Sequence, residues 1–342
     1  MTRLASVAAS APGKVTLFGE HAVVYGQPAI VGAINRRVTV SIQETGDATF
    51  RLRMPDVGEG EAILRLRNGE VKLQSSEPRL RMAALLVSAA MSQVLQEPEK
   101  LRGASLRVTS EMPVGAGLGT SAALVVATIA GFSSLLDEKL DTKTMVELAR
   151  RAELSVQGSS SGMDVCASVV GGMNLFRRTR SSIQFKKLQP REALPVAVGF
   201  TPRILDTAQT VRKVAEFRKR KRALVDAIFE CIGLVSNRAV QALRDSDLES
   251  LGELMNASHG LLSALGISTR ELDEMVNAAR GAGALGAKLT GAGMGGCVMS
   301  LAQSFDKARK IDRALELAGG HPLKLSFSPV GVRVEEATSE RM

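Results

Sequence analysis

The chain has no tryptophan, one tyrosine, three cysteines and three histidines among its 342 residues. Each shortage removes a class of function. Without interleaved aromatic side chains there is no platform on which nucleic-acid bases could stack. Cys166, Cys231 and Cys297 are widely spaced, odd in number and outside any Cys-x-x-Cys pair, so neither a disulfide framework nor a thiolate zinc site is expected. They read as small buried hydrophobes of a reducing compartment. His21, His259 and His321 are equally scattered, which leaves magnesium on oxygen ligands as the expected kind of metal. Long apolar runs are also missing. The longest, residues 122–132, is broken by Thr128 and Gly131 and is too short to span a bilayer, so no membrane association is expected. The first residues hold one arginine and a short Ala/Ser/Val stretch before Pro12-Gly13-Lys14, too little for an apolar signal core, and a cytoplasmic location follows as the expectation.

What is present is an ordinary globular composition. A length of 342 residues suggests two domains, and 45% hydrophobic residues can fill sizeable cores. The net charge of +9 raises nucleic acid as a partner, with Arg218-Lys-Arg-Lys-Arg222 as the densest basic run. That run lies in a helical pattern with Val211, Val214, Phe217, Leu224 and Ile228 on the apolar side, so it reads as a solvated helix face and no nucleic-acid partner is expected. Attraction of anionic substrates is the more modest use of the charge.

The strongest local signal is Pro113-Val-Gly-Ala-Gly-Leu-Gly-Thr-Ser-Ala-Ala123. Gly115, Gly117 and Gly119 free the backbone to enter left-handed conformations and bring N–H groups close to an anion. A helix is expected to follow, with Thr120 or Ser121 as its cap and its positive end toward the loop. No lysine precedes the hydroxyl residues, so the run is not a Walker A loop, and its spacing is not the dinucleotide fingerprint. By itself it could equally be a tight strand-to-helix turn. A second cluster, Gly291-Ala-Gly-Met-Gly-Gly296, formally fits Gly-x-Gly-x-x-Gly but is followed by strand-like Cys297–Leu301 rather than a helix. Lys288-Leu-Thr290 also reads as a strand, so this loop is expected to join two strands beside a pocket.

Alternation and periodicity place strands at residues 14–18, 30–42 and 104–110, a mixture of short strands and loops over 43–78, and helices at 80–94, 120–136 and 141–156. Composition changes after Gly171-Gly172 and the basic segment from Arg177 to Arg180, and residues 207–280 carry three or four helical patterns. The expected division is therefore 1–185 and 186–342. Phosphoryl transfer needs a phosphate cradle, oxygen ligands for magnesium, a cation near the transferred group and a carboxylate near the accepting hydroxyl. Lys14 after a Pro-Gly turn, Glu153 on an otherwise apolar helix face and Asp164 in a turn-rich segment supply the candidates.

Three segments together carry a resemblance: residues 11–26, Ala-Pro-Gly-Lys-Val-Thr-Leu-Phe-Gly-Glu-His-Ala-Val-Val-Tyr-Gly; the glycine loop 113–123; and residues 288–297, Lys-Leu-Thr-Gly-Ala-Gly-Met-Gly-Gly-Cys. In content and order they resemble the three motifs of the GHMP kinase superfamily. The first segment, together with residues 256–268, is most similar to the mevalonate kinases. The resemblance implies an α+β, two-domain fold, with an N-terminal domain like the second domain of ribosomal protein S5 and a C-terminal ferredoxin-like domain. It implies ATP and mevalonate as substrates, magnesium, and a homodimer. Residue by residue, Pro113, Gly115, Ala116, Gly117, Leu118, Gly119, Thr120, Ser121 and Ala122 resemble the ATP loop. Ser121 and Glu153 resemble the magnesium ligands. Asp164 resembles the catalytic carboxylate and Lys14 its cationic neighbour, and Glu20, His21 and, more loosely, Thr207 match the substrate side. Gln157, Ser160 and Val165 depart from the frequent His, Pro and Asn around the carboxylate, and Thr120 and Met294 replace a frequent Ser and Gly. The implied activity is phosphorylation of the mevalonate 5-hydroxyl. A kinase for phosphomevalonate, for the mevalonate 3-hydroxyl or for a sugar, and a non-catalytic binding protein on the same fold, are the alternatives.

Overall fold

The computed structural model describes residues 5–336 apart from residues 48, 68–69, 96–102, 114, 159 and 180–181. Val114, Ser159 and Arg180, within segments singled out above, lie outside the described residues. The chain opens with two long strands, β1 (Ser6–Phe18) and β2 (Ala29–Glu44), followed by β3 (Phe50–Arg53), β4 (Ala62–Arg67), β5 (Glu70–Ser76), α1 (Arg81–Val94) and β6 (Ala104–Ser110). Then come α2 (Thr120–Leu135), α3 (Thr142–Gln157), α4 (Met163–Val170) and the hairpin β7 (Met173–Arg178) and β8 (Ile183–Leu188).

β1 is longer than the expected strand at 14–18, because Pro12 and Gly13 do not end it. The β1–β2 register shifts between Pro12 and Lys14, and a bulge is where a sheet tolerates a residue that cannot donate to the ladder. The first sheet runs β13-β1-β2-β6-β3-β4-β5, where β13 is the late strand Arg333–Glu336, with β7 added beside the first half of β2 and β8 beside β7. β3 and β6 pair in parallel, which makes it a mixed sheet. Apolar all round, α2 is buried along most of its length beneath this sheet, and its Thr128 hydroxyl is satisfied by the Leu124 carbonyl at 2.8 Å.

The second unit contains β9 (Val196–Thr201), α5 (Thr207–Arg220), α6 (Arg222–Asp245), α7 (Leu248–Ala264), α8 (Arg270–Gly281), β10 (Gly286–Thr290), β11 (Gly296–Leu301), α9 (Phe305–Leu317) and β12 (His321–Pro322). Its antiparallel sheet is ordered β10-β11-β9-β12, the strand order of a ferredoxin-like βαββαβ unit with the first crossover expanded to four helices. The last described strand, β13 (Arg333–Glu336), returns to pair with β1. A division at residue 185 would cut β8; the chain leaves the first sheet after Leu188 and enters the second at Val196. The helical pattern through the basic run also breaks, at Lys221 between α5 and α6.

Two side-chain contacts join the sheets. Thr290 Oγ1 accepts from the Thr16 amide at 3.1 Å and donates to the Thr16 carbonyl at 2.8 Å. Beside it the Lys288 ammonium pairs with the Glu20 carboxylate and also donates to the Leu289 carbonyl at 2.7 Å. Both charges are almost completely buried, and burial pulls the Lys288 pKa down while Glu20 opposes that shift. Removing one member would leave the other charge uncompensated in the interior. Lys288→Met is therefore expected to lower the unfolding free energy by about 3–5 kcal/mol, read as the midpoint of urea denaturation; an unchanged midpoint would show that the pair carries no such weight.

Candidate active site

Between β6 and α2 the glycine loop turns through three left-handed residues, Gly115, Gly117 and Gly119, at φ +79°, +78° and +78°. Gly119 is itself the residue that caps α2, so neither Thr120 nor Ser121 does so, contrary to the sequence expectation. The left-handed turn delivers the chain into the helix at Thr120, and the capping position carries no side chain. The first amides of α2 are thus left to an outside acceptor, and both hydroxyls sit in the first turn. Ala116, Leu118 and Ala122 are buried, so the loop packs its side chains inward. Pro113 is exposed at its start.

Lys14 passes directly under this loop. Its amide donates to the Leu118 carbonyl at 2.7 Å, and its stem lies so close to Gly119 that a Cβ there would come within 2.8 Å of Lys14 Cγ. The ammonium is nearly enclosed and meets Asp164 Oδ2 at 3.1 Å. Asp164 occupies the first turn of α4, and α4 is tied to β1 by the Ser168 hydroxyl, which donates to the Pro12 carbonyl at 2.9 Å. The bulge that aims Lys14 and the helix that carries Asp164 are therefore tied together two residues before Lys14 and four residues after Asp164.

Glu153, on α3, is buried and accepts from the Ser160 hydroxyl at 2.5 Å. Burial, followed by the charge of Asp164, pushes its pKa up to about 7, against the opposing pull of Ser160 and Lys14. Among the described residues no three Asp, Glu, His or Cys side chains converge as a self-contained metal cage. The donors that do exist suit magnesium, which prefers oxygen: Glu153 is a buried carboxylate with too little positive charge around it, and Asp164 is a second carboxylate facing the same cavity.

Lys14, Glu153 and Asp164 open into a cavity of about 360 Å³ between the two units, also lined by Glu20, His21, Arg178 and Thr207. His21 is held at φ +59°, and its Nε2 meets the Ala292 carbonyl at 2.9 Å; burial lowers its pKa and favours the neutral ring. Glu20 reaches the cavity wall, yet its carboxylate is turned to Lys288. Thr207 begins α5 and accepts from Arg203 Nη1 at 2.8 Å. The third loop joins β10 to β11 as expected and contributes Gly291 and Ala292 to the wall.

Two arginines here escaped the sequence reading. Arg203 follows β9 and lies where the two glycine loops meet: a Cβ on Gly117 would come within 2.1 Å of its Nη2, and one on Gly296 within 2.9 Å of its Nε. Its buried Nε has no hydrogen-bond partner among the described residues. Arg178, at the end of β7, donates from Nη1 to the Ser160 carbonyl at 2.7 Å and lines the cavity. Neither stands in a motif, and a lone arginine gives no sequence signal beyond its charge. The segment 256–268 proves to be scaffolding for the third loop. Asn256 brackets the start of β10, donating to the Leu285 carbonyl and accepting from the Ala287 amide, while the Ile267 carbonyl accepts from the Met294 amide at 2.7 Å.

Residues 84–172 match the GHMP kinases N terminal domain, and residues 239–320 match the GHMP kinases C terminal domain. A mevalonate kinase of Pyrococcus abyssi is 39% identical over 335 residues, covering 96% of this chain and 98% of that protein. One of Archaeoglobus fulgidus is 36% identical over 86% of this chain and 91% of its own length. Among solved structures, L. major mevalonate kinase in complex with R-mevalonate aligns with a TM-score of 0.78 at 27% identity, covering 94% of this chain and 96% of that one. Methanococcus jannaschii mevalonate kinase aligns at 0.77, also at 27% identity, over 94% and 98%. With both halves of the fold matched and relatives aligned along nearly its whole length, the chain belongs to the mevalonate kinase family of the GHMP kinases.

Proposed function

We propose that the cavity binds mevalonate and that its 5-hydroxyl receives the γ-phosphoryl group of ATP held by the glycine loop. The observation that carries this reading is the enclosed Lys14–Asp164 pair set immediately beneath the loop, 3.1 Å apart. One group faces the acceptor hydroxyl and the other faces the phosphate. The open amides of α2 and the loop backbone bind the triphosphate. The 5-oxygen attacks the γ-phosphorus as the bond to the bridging oxygen of ADP breaks, and the hydroxyl proton passes toward Asp164. A loose transition state asks little of a base, so the main tasks of Asp164 are to orient the hydroxyl and to receive that proton as the new bond forms. Lys14 and Arg203 offset charge on the transferred group. Ser121 and Glu153 would hold magnesium, which when bound neutralises phosphate charge. Arg178 is the cation placed to meet the substrate carboxylate, and neutral His21, whose Nε2–H is taken by the Ala292 carbonyl, can accept from a substrate hydroxyl through Nδ1. The cytoplasmic setting and the homodimer belong to the same proposal.

Asp164→Asn keeps the shape and loses the proton acceptor. It is expected to lower kcat on the order of 10²–10⁴-fold with the KM for ATP little changed, measured by coupled ADP release; near-normal turnover would remove Asp164 from the chemistry. Glu153→Gln is expected to raise the magnesium concentration needed for half-maximal rate by about 10–100-fold, and an unaltered magnesium titration would exclude it as a ligand. Arg178→Gln is expected to raise the KM for mevalonate on the order of tenfold or more, the loss of a charged hydrogen bond, while leaving the KM for ATP in place. An increase in the ATP value alone would assign Arg178 to the nucleotide instead.

A further inference from the structure

The wall of the cavity formed by Val23 and Val24 is a single 3₁₀ turn, Ala22–Tyr25, entered through the left-handed His21 and left through the left-handed Gly26. One such turn has few internal hydrogen bonds and starts from a strained residue, so its position must be imposed from outside. The structure supplies a clamp at its far end. Tyr25 stacks on Phe229 of α6 with ring centroids 4.5 Å apart and planes 18° from parallel, and the Arg218 guanidinium lies 4.6 Å from the centre of the tyrosine ring. Arg218 is itself held by a two-point pair with Asp226, at 2.5 and 3.1 Å, which spans the break between α5 and α6. Just beyond the turn, Gln27 fills the space above Gly233, where an added Cβ would come within 2.1 Å of its Oε1. The other end of α5 carries Thr207, bonded to Arg203 at the meeting point of the glycine loops. The first residue of the basic run is thus not a solvated charge; it joins the turn that lines the substrate cavity to the helix that starts at the phosphate junction.

We propose that Tyr25 and Arg218 are positioning residues for substrate binding: the clamp sets where Val23 and Val24 stand and so determines the fit of mevalonate, without touching either substrate. The proposal rests on the mevalonate reading of the cavity. The chain carries its own probe, because Tyr25 is its only tyrosine and there is no tryptophan. In the full-length enzyme, mevalonate is expected to change the tyrosine emission saturably, with a midpoint near the KM for mevalonate, and ATP alone is not. Arg218→Ala and Tyr25→Ala are each expected to raise the KM for mevalonate by about three- to tenfold, the weight of one cation–π or aromatic contact, with kcat and the KM for ATP essentially unchanged. Tyr25→Phe, which keeps the ring, is expected to restore most of the loss. If Tyr25→Ala does not fold, Arg218→Ala and the emission titration decide the matter. Unchanged mevalonate KM values, parallel rises in both KM values, or a Tyr25→Phe variant as impaired as Tyr25→Ala would each overturn the clamp. Absence of any wild-type turnover of mevalonate would overturn the reading of the cavity, and the clamp with it, and is a separate result.

Discussion

An ammonium group taken almost out of water needs a partner, and the enclosed Lys14 side chain imposes that need on everything around it. The bulge at Pro12-Gly13 exists where β1 must aim this one side chain inward. Gly119 must lack a Cβ because the lysine stem occupies the space. The helix α4 must present Asp164 at its first turn, and Ser168 secures it to the carbonyl of Pro12 so that the two charges cannot drift apart. The same lysine donates its amide to the phosphate loop, so the cation, the carboxylate and the anion cradle form one rigid constellation. For the proposed phosphoryl transfer, where positioning and charge do most of the work, that rigidity is what the reaction would use.

The second unit adds to this constellation without containing it. It meets residues 16–21 of the first motif through Thr290, Lys288 and Ala292, from β10 and the loop that follows, and the motif's far end, Tyr25, through α5 and α6. The departures from the family pattern find physical roles here. Met294 stands with φ at +56°, a left-handed conformation that glycine would adopt without strain, and its amide is held by the Ile267 carbonyl. Ser160 stands where proline is frequent and uses its hydroxyl to satisfy Glu153, a bond that proline could not make. The pKa of Glu153 is raised first by burial and then by the charge of Asp164, and both make the site receptive to a cation.

Much of the fold was legible from periodicity. The buried helix after the glycine loop, the hairpin around the third loop and the helical second half all follow from apolar spacing and turn residues. The length of β1 was not, because proline and glycine normally end a strand and only pairing with β2 shows that they sit in a bulge. The break at Lys221 was equally hidden, since the apolar pattern continues across it and the bend is fixed by the pairing of Arg218 with Asp226.

By itself the sequence determined the family, the glycine loop that leads into a buried helix and the three residues Lys14, Glu153 and Asp164 that line one cavity, because closely spaced glycines and motif order are properties of local chain. It could not determine which charges meet. Glu20 reads as a substrate contact in its motif, yet its carboxylate is turned to a lysine 268 residues away. Arg203 and Arg178 belong to no motif and gain their place only because β9 ends where the two glycine loops meet and β7 ends at the cavity. Pairings of this kind depend on distance through folded space, and burial, which makes them strong, is created only when the two sheets close on one another.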